Sequence, residues 1–305
     1  MDGVSMNHRQ GFVPPQLVHK MNSLGRFLVN EFIYGCHFLS LSGSAIVLSA
    51  MFFMNVPIRW EFCIIAYFLT QTAYTYNHYR EFKKDSSVDS KRVRHLRRYG
   101  CFFPFLVFSY GLSYSVALIS SGSSLSIVFG FVFLGIGLIY TEVIKSLTQR
   151  IIGLKSFYTS FSLALLVMFT AVYCGHALDV SVIVFSLFLF LNMSINTTFY
   201  DLKDMETDKK DGLKTLPLVL GKYRFLKLLH VLNIIAILPV VFGVWYGALP
   251  LYALLLIGMF GYCFYFIQKA WNSHTDLDFL SYIVVDGQYY LLPMLLFIGT
   301  MTFTT

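Results

Sequence analysis

The sequence predicts an all-α polytopic membrane protein, with nine transmembrane helices around a central cavity. Three observations carry this. Of the 305 residues, 56% are hydrophobic and only 13% are charged, too apolar a balance for a soluble domain. Apolar runs of membrane-spanning length recur nine times, at about 31–53, 60–79, 101–120, 123–141, 156–175, 179–200, 225–244, 248–268 and 281–303. Threaded back and forth, the nine runs place 22 of the 23 Lys and Arg on one face and only Arg59 on the other. Basic residues collect on the cytoplasmic side of membrane proteins, so the distribution supports the count and sets the orientation. The N-terminus and the even-numbered connections are expected in the cytoplasm, and the C-terminus on the opposite side.

The elements follow in order. Residues 1–30 are mixed polar, contain Pro14-Pro15 and show no cleavable signal peptide, so the first run is expected to serve for targeting. With this cytoplasmic segment, 1–305 reads as a single membrane-embedded domain. On the outside, Ser120-Ser121-Gly122-Ser123 joins runs three and four, Gly175-His176-Ala177-Leu178-Asp179 joins five and six, and Tyr246-Gly247-Ala248-Leu249-Pro250 joins seven and eight. These are tight. The connections after runs two and six reach about twenty residues and hold most of the polar character, as functional loops in compact proteins do. Cys36, Cys63, Cys101, Cys174 and Cys263 lie singly in apolar segments without a CxxC pair, which predicts membrane-core thiols. The net charge of +7 is not a nucleic-acid footprint, because the basic residues sit at membrane boundaries.

The two long connections begin alike. Asn77-x3-Glu81-x3-Asp85 leaves run two, and Asn196-x3-Tyr200-x3-Asp204-x3-Asp208 leaves run six, where five acids fall in the eleven residues from Asp201 to Asp211. Recurrence four helices apart suggests a diverged internal duplication in which each half brings one acidic helix end to a shared cavity. Residues at i, i+4 and i+8 line one helix stripe, so Asn77, Glu81 and Asp85 are expected on one face and Asp204 and Asp208 on another. Like charges one turn apart repel, and carboxylates at a membrane boundary are costly, unless cations lie between them. Paired hard oxygen donors without thiolate or imidazole point to Mg2+, which keeps coordination positions open for phosphate oxygens. Nearby Arg92, Arg94, Arg97, Arg98, Lys209, Lys210 and Lys214 supply charge to neutralise the rest of such an anion. Asp286 and Gln288 stand one to two turns into run nine, where an ionisable group is a functional candidate by default. Asn192 reads as interhelical hydrogen-bond glue, a role open to Asn196 as well.

The segment Asp201-x2-Asp204-x3-Asp208-x2-Asp211-Gly212-x-Lys214-Thr215-Leu216-Pro217-x3-Gly221 closely resembles the second acidic motif and following loop of the UbiA-type intramembrane prenyltransferases. Asn77-x3-Glu81-x3-Asp85 is similar to their first motif, with Glu81 where Asp is usual. Tyr140-Thr141, followed by Lys145 and Lys155, resembles a weaker third signature, here without the usual Pro close behind. The resemblance covers essentially the whole chain. It implies nine helices around a cavity and an enzyme that binds a prenyl diphosphate through Mg2+ held by Asn77, Glu81, Asp85, Asp204 and Asp208. By the same resemblance Asn77, Glu81, Asp204 and Asp208 are the catalytic set, on the cytoplasmic side. Tyr140, Lys145, Lys155, Arg94, Lys214, Asp201 and Tyr200 then bind the substrate. Ionisation of the C–O bond leaves an allylic cation, which a hydrophobic acceptor traps, with Tyr74, Tyr76, Tyr79, Phe199 and Tyr200 as aromatic faces to stabilise it. The Arg-Pro signature that quinone-pathway members carry before run one is missing; Arg26, Asn30 and Glu31 stand there.

Other readings stay open on these residues. A cyclase of the same type traps the cation with an alkene of the same substrate and needs no acceptor. A transporter would use the inner acids to bind metal or phosphate, but no apolar run is broken mid-span by a Gly/Pro pair with a charge. A non-catalytic isoprenoid-binding protein would not require both acidic motifs.

Overall fold

A computed structural model describes residues 23–84 and 91–303, and among these the chain is helical with no strand. A bilayer enforces this, because a helix satisfies every backbone N–H and C=O within its own segment. In chain order the helices are α1 (Ser23–Tyr34), α2 (His37–Phe53), α3 (Trp60–Lys84), α4 (Lys91–Leu96), α5 (Phe103–Ser121), α6 (Ser124–Ile139) and α7 (Leu154–Cys174). There follow α8 (Val180–Lys203), α9 (Met205–Lys210), α10 (Leu216–Leu220), α11 (Lys222–Trp245), α12 (Gly258–Ala270) and α13 (Asp286–Phe303).

Among the described residues, seven helices are long and apolar enough to cross a membrane, or up to eight if the bent pair α1–α2 counts as one span. The remaining apolar run, the second, forms α3, and its composition keeps it out of that set. Thr70, Gln71, Thr72, Thr75 and His78 are buried along it, followed by Asn77 and Glu81 at its inner end. The pair α1–α2 turns through 52° where Cys36 takes a left-handed conformation, φ 63°.

Burial against lipid gains little, since lipid tails are as apolar as Leu, so close packing and interhelical hydrogen bonds hold the bundle. The core is aromatic. Phe62 stacks on Tyr173 at 4.0 Å, Phe133 on Phe169 at 5.0 Å, and Phe53 on Phe185 at 4.3 Å. Between α8 and α13, Gln288 Nε2 donates to Asn192 Oδ1 at 2.6 Å, and Asn196 Nδ2 donates to the Val285 carbonyl at 2.8 Å. Both asparagines therefore join helices. On their outward faces α5 and α6 expose Phe105, Phe108, Val128 and Val132, as lipid-facing helices must.

Three local devices position the polar end. Gly153, at φ +68°, opens α7, and the adjoining segments pair through Gly153 N–H to Lys214 O (2.9 Å) and Lys214 N–H to Thr148 O (3.0 Å). This pairing sets Lys155 beside α9. A π turn over Tyr140–Ile144 carries α6 into Lys145, and another over Leu280–Val285 leads into Asp286. Such wide turns recur at functional positions in helices.

Candidate active site

A cavity of about 410 Å3 runs into the bundle. Its deep part is apolar, lined by Leu39, Leu69, Phe133, Ile136, Leu163 and Leu166. Its other end holds two facing walls of charged side chains.

The first wall belongs to α3. Lys145 Nζ donates to Glu81 Oε1 at 2.8 Å, and Arg92 donates to Oε2 at 3.1 Å. Asn77 Nδ2 donates to Glu81 Oε1 at 3.1 Å, and Thr141 Oγ1 donates to Asn77 Oδ1 at 3.4 Å. One carboxylate thus has two cations. Its side chain, one methylene longer than that of Asp, reaches both.

The second wall is built from α7, α8 and α9. Lys155 Nζ lies 2.7 and 2.8 Å from the two Asp208 oxygens and 3.1 Å from Asp201 Oδ1. Ser156 Oγ donates to Asp201 Oδ2 at 2.8 Å, and Lys203 Nζ donates to Asp204 Oδ1 at 2.6 Å. Lys203 also stands over the Tyr282 ring, 4.8 Å from its centroid. The expectation that Asp204 and Asp208 share one continuous helix stripe is corrected here. The α8 helix ends at Lys203, Asp204 adopts φ −91° and ψ 8°, and a new short helix begins at Met205. The break lets the two acids take different lysines. Burial pushes the Asp204 carboxyl up, but Lys203, Arg92 and Lys155 outweigh it and hold it below its ordinary value. For Asp208 burial wins over Lys155, and its carboxyl stands above the ordinary value.

The donors suit a hard divalent cation shared with a ligand. Among the described residues, no three His, Cys, Asp or Glu side chains converge into a metal cage of their own. Oxygen donors instead stand on two walls of one cavity, and Mg2+ characteristically takes one or two carboxylates and completes its shell with phosphate oxygens and water.

The cavity gathers Asn77, Glu81, Tyr140, Lys145, Lys155, Tyr200, Asp201, Asp204 and Asp208 along its lining; Arg94 and Lys214 are not on it. Lys214 acts through its backbone in the loop pairing above. Asp85 lies outside the described residues. Of the expected aromatics, Tyr74 and Tyr200 line the cavity. Tyr76 instead donates to Glu142 at 2.5 Å on the exposed side of α3, Phe199 packs edge-on against Phe266 in the core, and Tyr79 is off the lining. Sequence reasoning passed over Lys203, Ser156 and Tyr282 as site groups. Lys203 and Ser156 adjoin Asp204 and Lys155, which was signal enough; Tyr282 arrives from a distant run and carried none.

Fold and cavity together define a class: helical membrane proteins with an apolar chamber that ends in a highly charged mouth. Residues 38–301 match the model of the UbiA prenyltransferase family, and the chain belongs to that family as an integral membrane protein. It is 32% identical over 129 residues to a digeranylgeranylglyceryl phosphate synthase of Haloquadratum walsbyi. That alignment spans 39% of this chain and 44% of the relative, less than half of either. The fold is similar to that of a UbiA homolog from Aeropyrum pernix K1 (TM-score 0.67, 15% identity, 87% of this chain and 98% of that one). It is also similar to a UbiA homolog from Archaeoglobus fulgidus bound to DMAPP and Mg2+ (TM-score 0.64, 14% identity, 90% and 99% covered).

Proposed function

We propose that this chain transfers a prenyl group from a prenyl diphosphate to a lipid-soluble acceptor, with Mg2+ as cofactor. The observation that carries the reading is the pair of facing walls, where each carboxylate already holds a Lys or Arg partner above an apolar chamber. Asn77, Glu81, Asp204 and Asp208 are the described donors for Mg2+, with Asp85 proposed beside them; when bound, the ion supplies positive charge to the departing diphosphate.

The chain's own groups do the rest. Lys145, Lys155, Arg92 and Lys203 exchange carboxylate partners for diphosphate oxygens, and these preplaced cations stabilise charge as the C–O bond ionises. Tyr140 closes the same end of the cavity. Arg94 and Lys214, off the lining, are proposed to act on the approaching anion from the mouth. Tyr74 and Tyr200 present aromatic faces to the allylic cation. The apolar lining from Leu69 to Leu166 receives the isoprenoid tail and excludes water, which would otherwise quench the cation. The chain is proposed to cross the bilayer nine times, with this mouth and the N-terminus in the cytoplasm and the C-terminus opposite.

The test incubates purified protein in detergent with Mg2+ and a panel of prenyl diphosphates, with and without a membrane-lipid extract. Diphosphate and organic-phase masses are then followed. Release that requires the extract and yields a prenylated lipid is expected. A cyclic terpene formed without extract would replace the transferase by a cyclase; no release under any condition would remove the enzymatic reading.

A further inference from the structure

Asp286 stands apart from the charged walls. It opens α13 directly after the second π turn, is 2% exposed, and through Oδ2 accepts the Tyr200 hydroxyl at 2.6 Å. Its Oδ1 is buried with no hydrogen-bond partner. No ion pair reaches it among the described residues. A carboxyl at this depth costs a few kcal/mol, and packing does not require it. The hydrogen bonds that join α13 to α8 nearby come from Gln288, Tyr289 and the Val285 carbonyl. Tyr200 lines the cavity one helical turn before Asp204, so it links Asp286 to the place where reaction would occur.

Prenyl transfer ends with a proton to dispose of, because an acceptor that adds its electron pair to an allylic carbon must shed its hydrogen. We propose that Asp286, reached through Tyr200, takes that proton; the inference rests on the prenyl-transfer reading above. The C–O bond breaks with its electron pair leaving on diphosphate, and the acceptor's pair forms the new bond to the allylic carbon. The acceptor's proton passes to the Tyr200 oxygen while the Tyr200 proton passes to Asp286 Oδ2, converting carboxylate to carboxylic acid. After the product leaves, the proton returns by the same two groups to water in the cavity.

Asp286→Asn isolates the step, since an amide oxygen still accepts the Tyr200 hydroxyl but cannot take its proton. Besides Tyr200, the ionisable groups facing Asp286 are Cys36, Tyr74 on α3, Lys203 on α8, Tyr262 on α12, and Tyr289 and Tyr290 on its own helix. All are thiol, phenol or ammonium, whereas Glu81, Asp201, Asp204 and Asp208 on the charged walls contribute carboxylate titration of their own, so the readout is the difference in pH profile between wild type and Asp286→Asn. With geranyl diphosphate, Mg2+ and lipid extract, kcat for Asp286→Asn is expected to fall about 100-fold, the usual worth of general-base catalysis. KM should hold within about twofold, the pattern of a group used only in the transition state. The acid limb of kcat against pH should change from the wild-type form as the contribution of Asp286 is lost, Asp286→Glu should restore part of the rate, and Tyr200→Phe combined with Asp286→Asn should be no worse than either alone. An unchanged kcat and acid limb in Asp286→Asn would overturn the proposal and leave diphosphate as the base. If that variant does not fold, Tyr200→Phe, which keeps the carboxyl, decides between the two outcomes by the same criteria. No diphosphate release from wild type defeats the parent reading and this one together, whereas active wild type with insensitive variants defeats this one alone.

Discussion

The two walls of the cavity are unequal in charge. On the α3 wall one carboxylate, Glu81, faces two cations, Arg92 and Lys145. On the opposite wall three carboxylates, Asp201, Asp204 and Asp208, face Lys155 and Lys203. The first wall therefore has a surplus of positive charge and the second a surplus of negative charge. Under the proposed function, Coulomb attraction would draw an anionic head toward α3 and a divalent cation toward Asp204 and Asp208. Under the proposed function the asymmetry gives similar motifs different emphasis: Asp204 and Asp208 are proposed to draw the cation, Asn77 and Glu81 to complete its donors, and Arg92 and Lys145 to orient the anion it brings.

That comparison breaks first at the second wall. Asp204→Asn and Asp208→Asn are expected to lower turnover about 1000-fold, as losing a preorganised electrostatic group does, in folded protein judged by gel filtration. Chelation of divalent cations should produce a comparable loss that Mg2+ reverses in the same diphosphate-release assay. Lys155→Met tests the wall's internal balance. It leaves Asp201 and Asp208 buried without their shared cation and should cost about 3 kcal/mol of stability, read as a lowered detergent-solution melting temperature. On the first wall, Glu81→Gln should cost about 30-fold in kcat/KM, the worth of one charge-assisted hydrogen bond. Glu81→Asp should retain more activity than Glu81→Gln, which steady-state kinetics will show; the reverse order would mean that reach, not charge, sets the role of Glu81. The smallest effect belongs to Lys214→Ala, whose side chain is off the lining, with a change within about 0.5 kcal/mol in either stability or activation energy.

Much of this was legible in the sequence because membrane folding leaves strong marks. The long apolar runs follow from the cost of charge in hydrocarbon, and among the described residues they form helices, seven of them long and apolar enough to cross a membrane, or up to eight with the bent pair α1–α2. The acidic spacing likewise placed Asn77, Glu81, Asp201, Asp204 and Asp208 on one cavity. What was not legible depends on backbone irregularity. Periodicity assumes a continuous helix, and so missed the break at Asp204, the bend at Cys36 and both π turns. Among closely spaced arginines, Arg92 rather than Arg94 reaches the cavity, because the six-residue α4 directs neighbouring side chains differently. Counting apolar runs treats α3 as a span like the others, whereas its buried Thr70, Gln71, Thr72, Thr75 and His78 keep it out of the set apolar enough to cross.

The central claim is that the two walls grip one ligand. A double-mutant cycle on Mg2+-dependent prenyl diphosphate binding, with Glu81→Gln, Asp204→Asn and the combined variant measured by titration calorimetry, tests it most directly. Coupling of about 1–3 kcal/mol between the two substitutions is predicted for groups joined through a shared ligand. Additive losses within about 0.3 kcal/mol would contradict it, because the walls would then be acting on separate ligands.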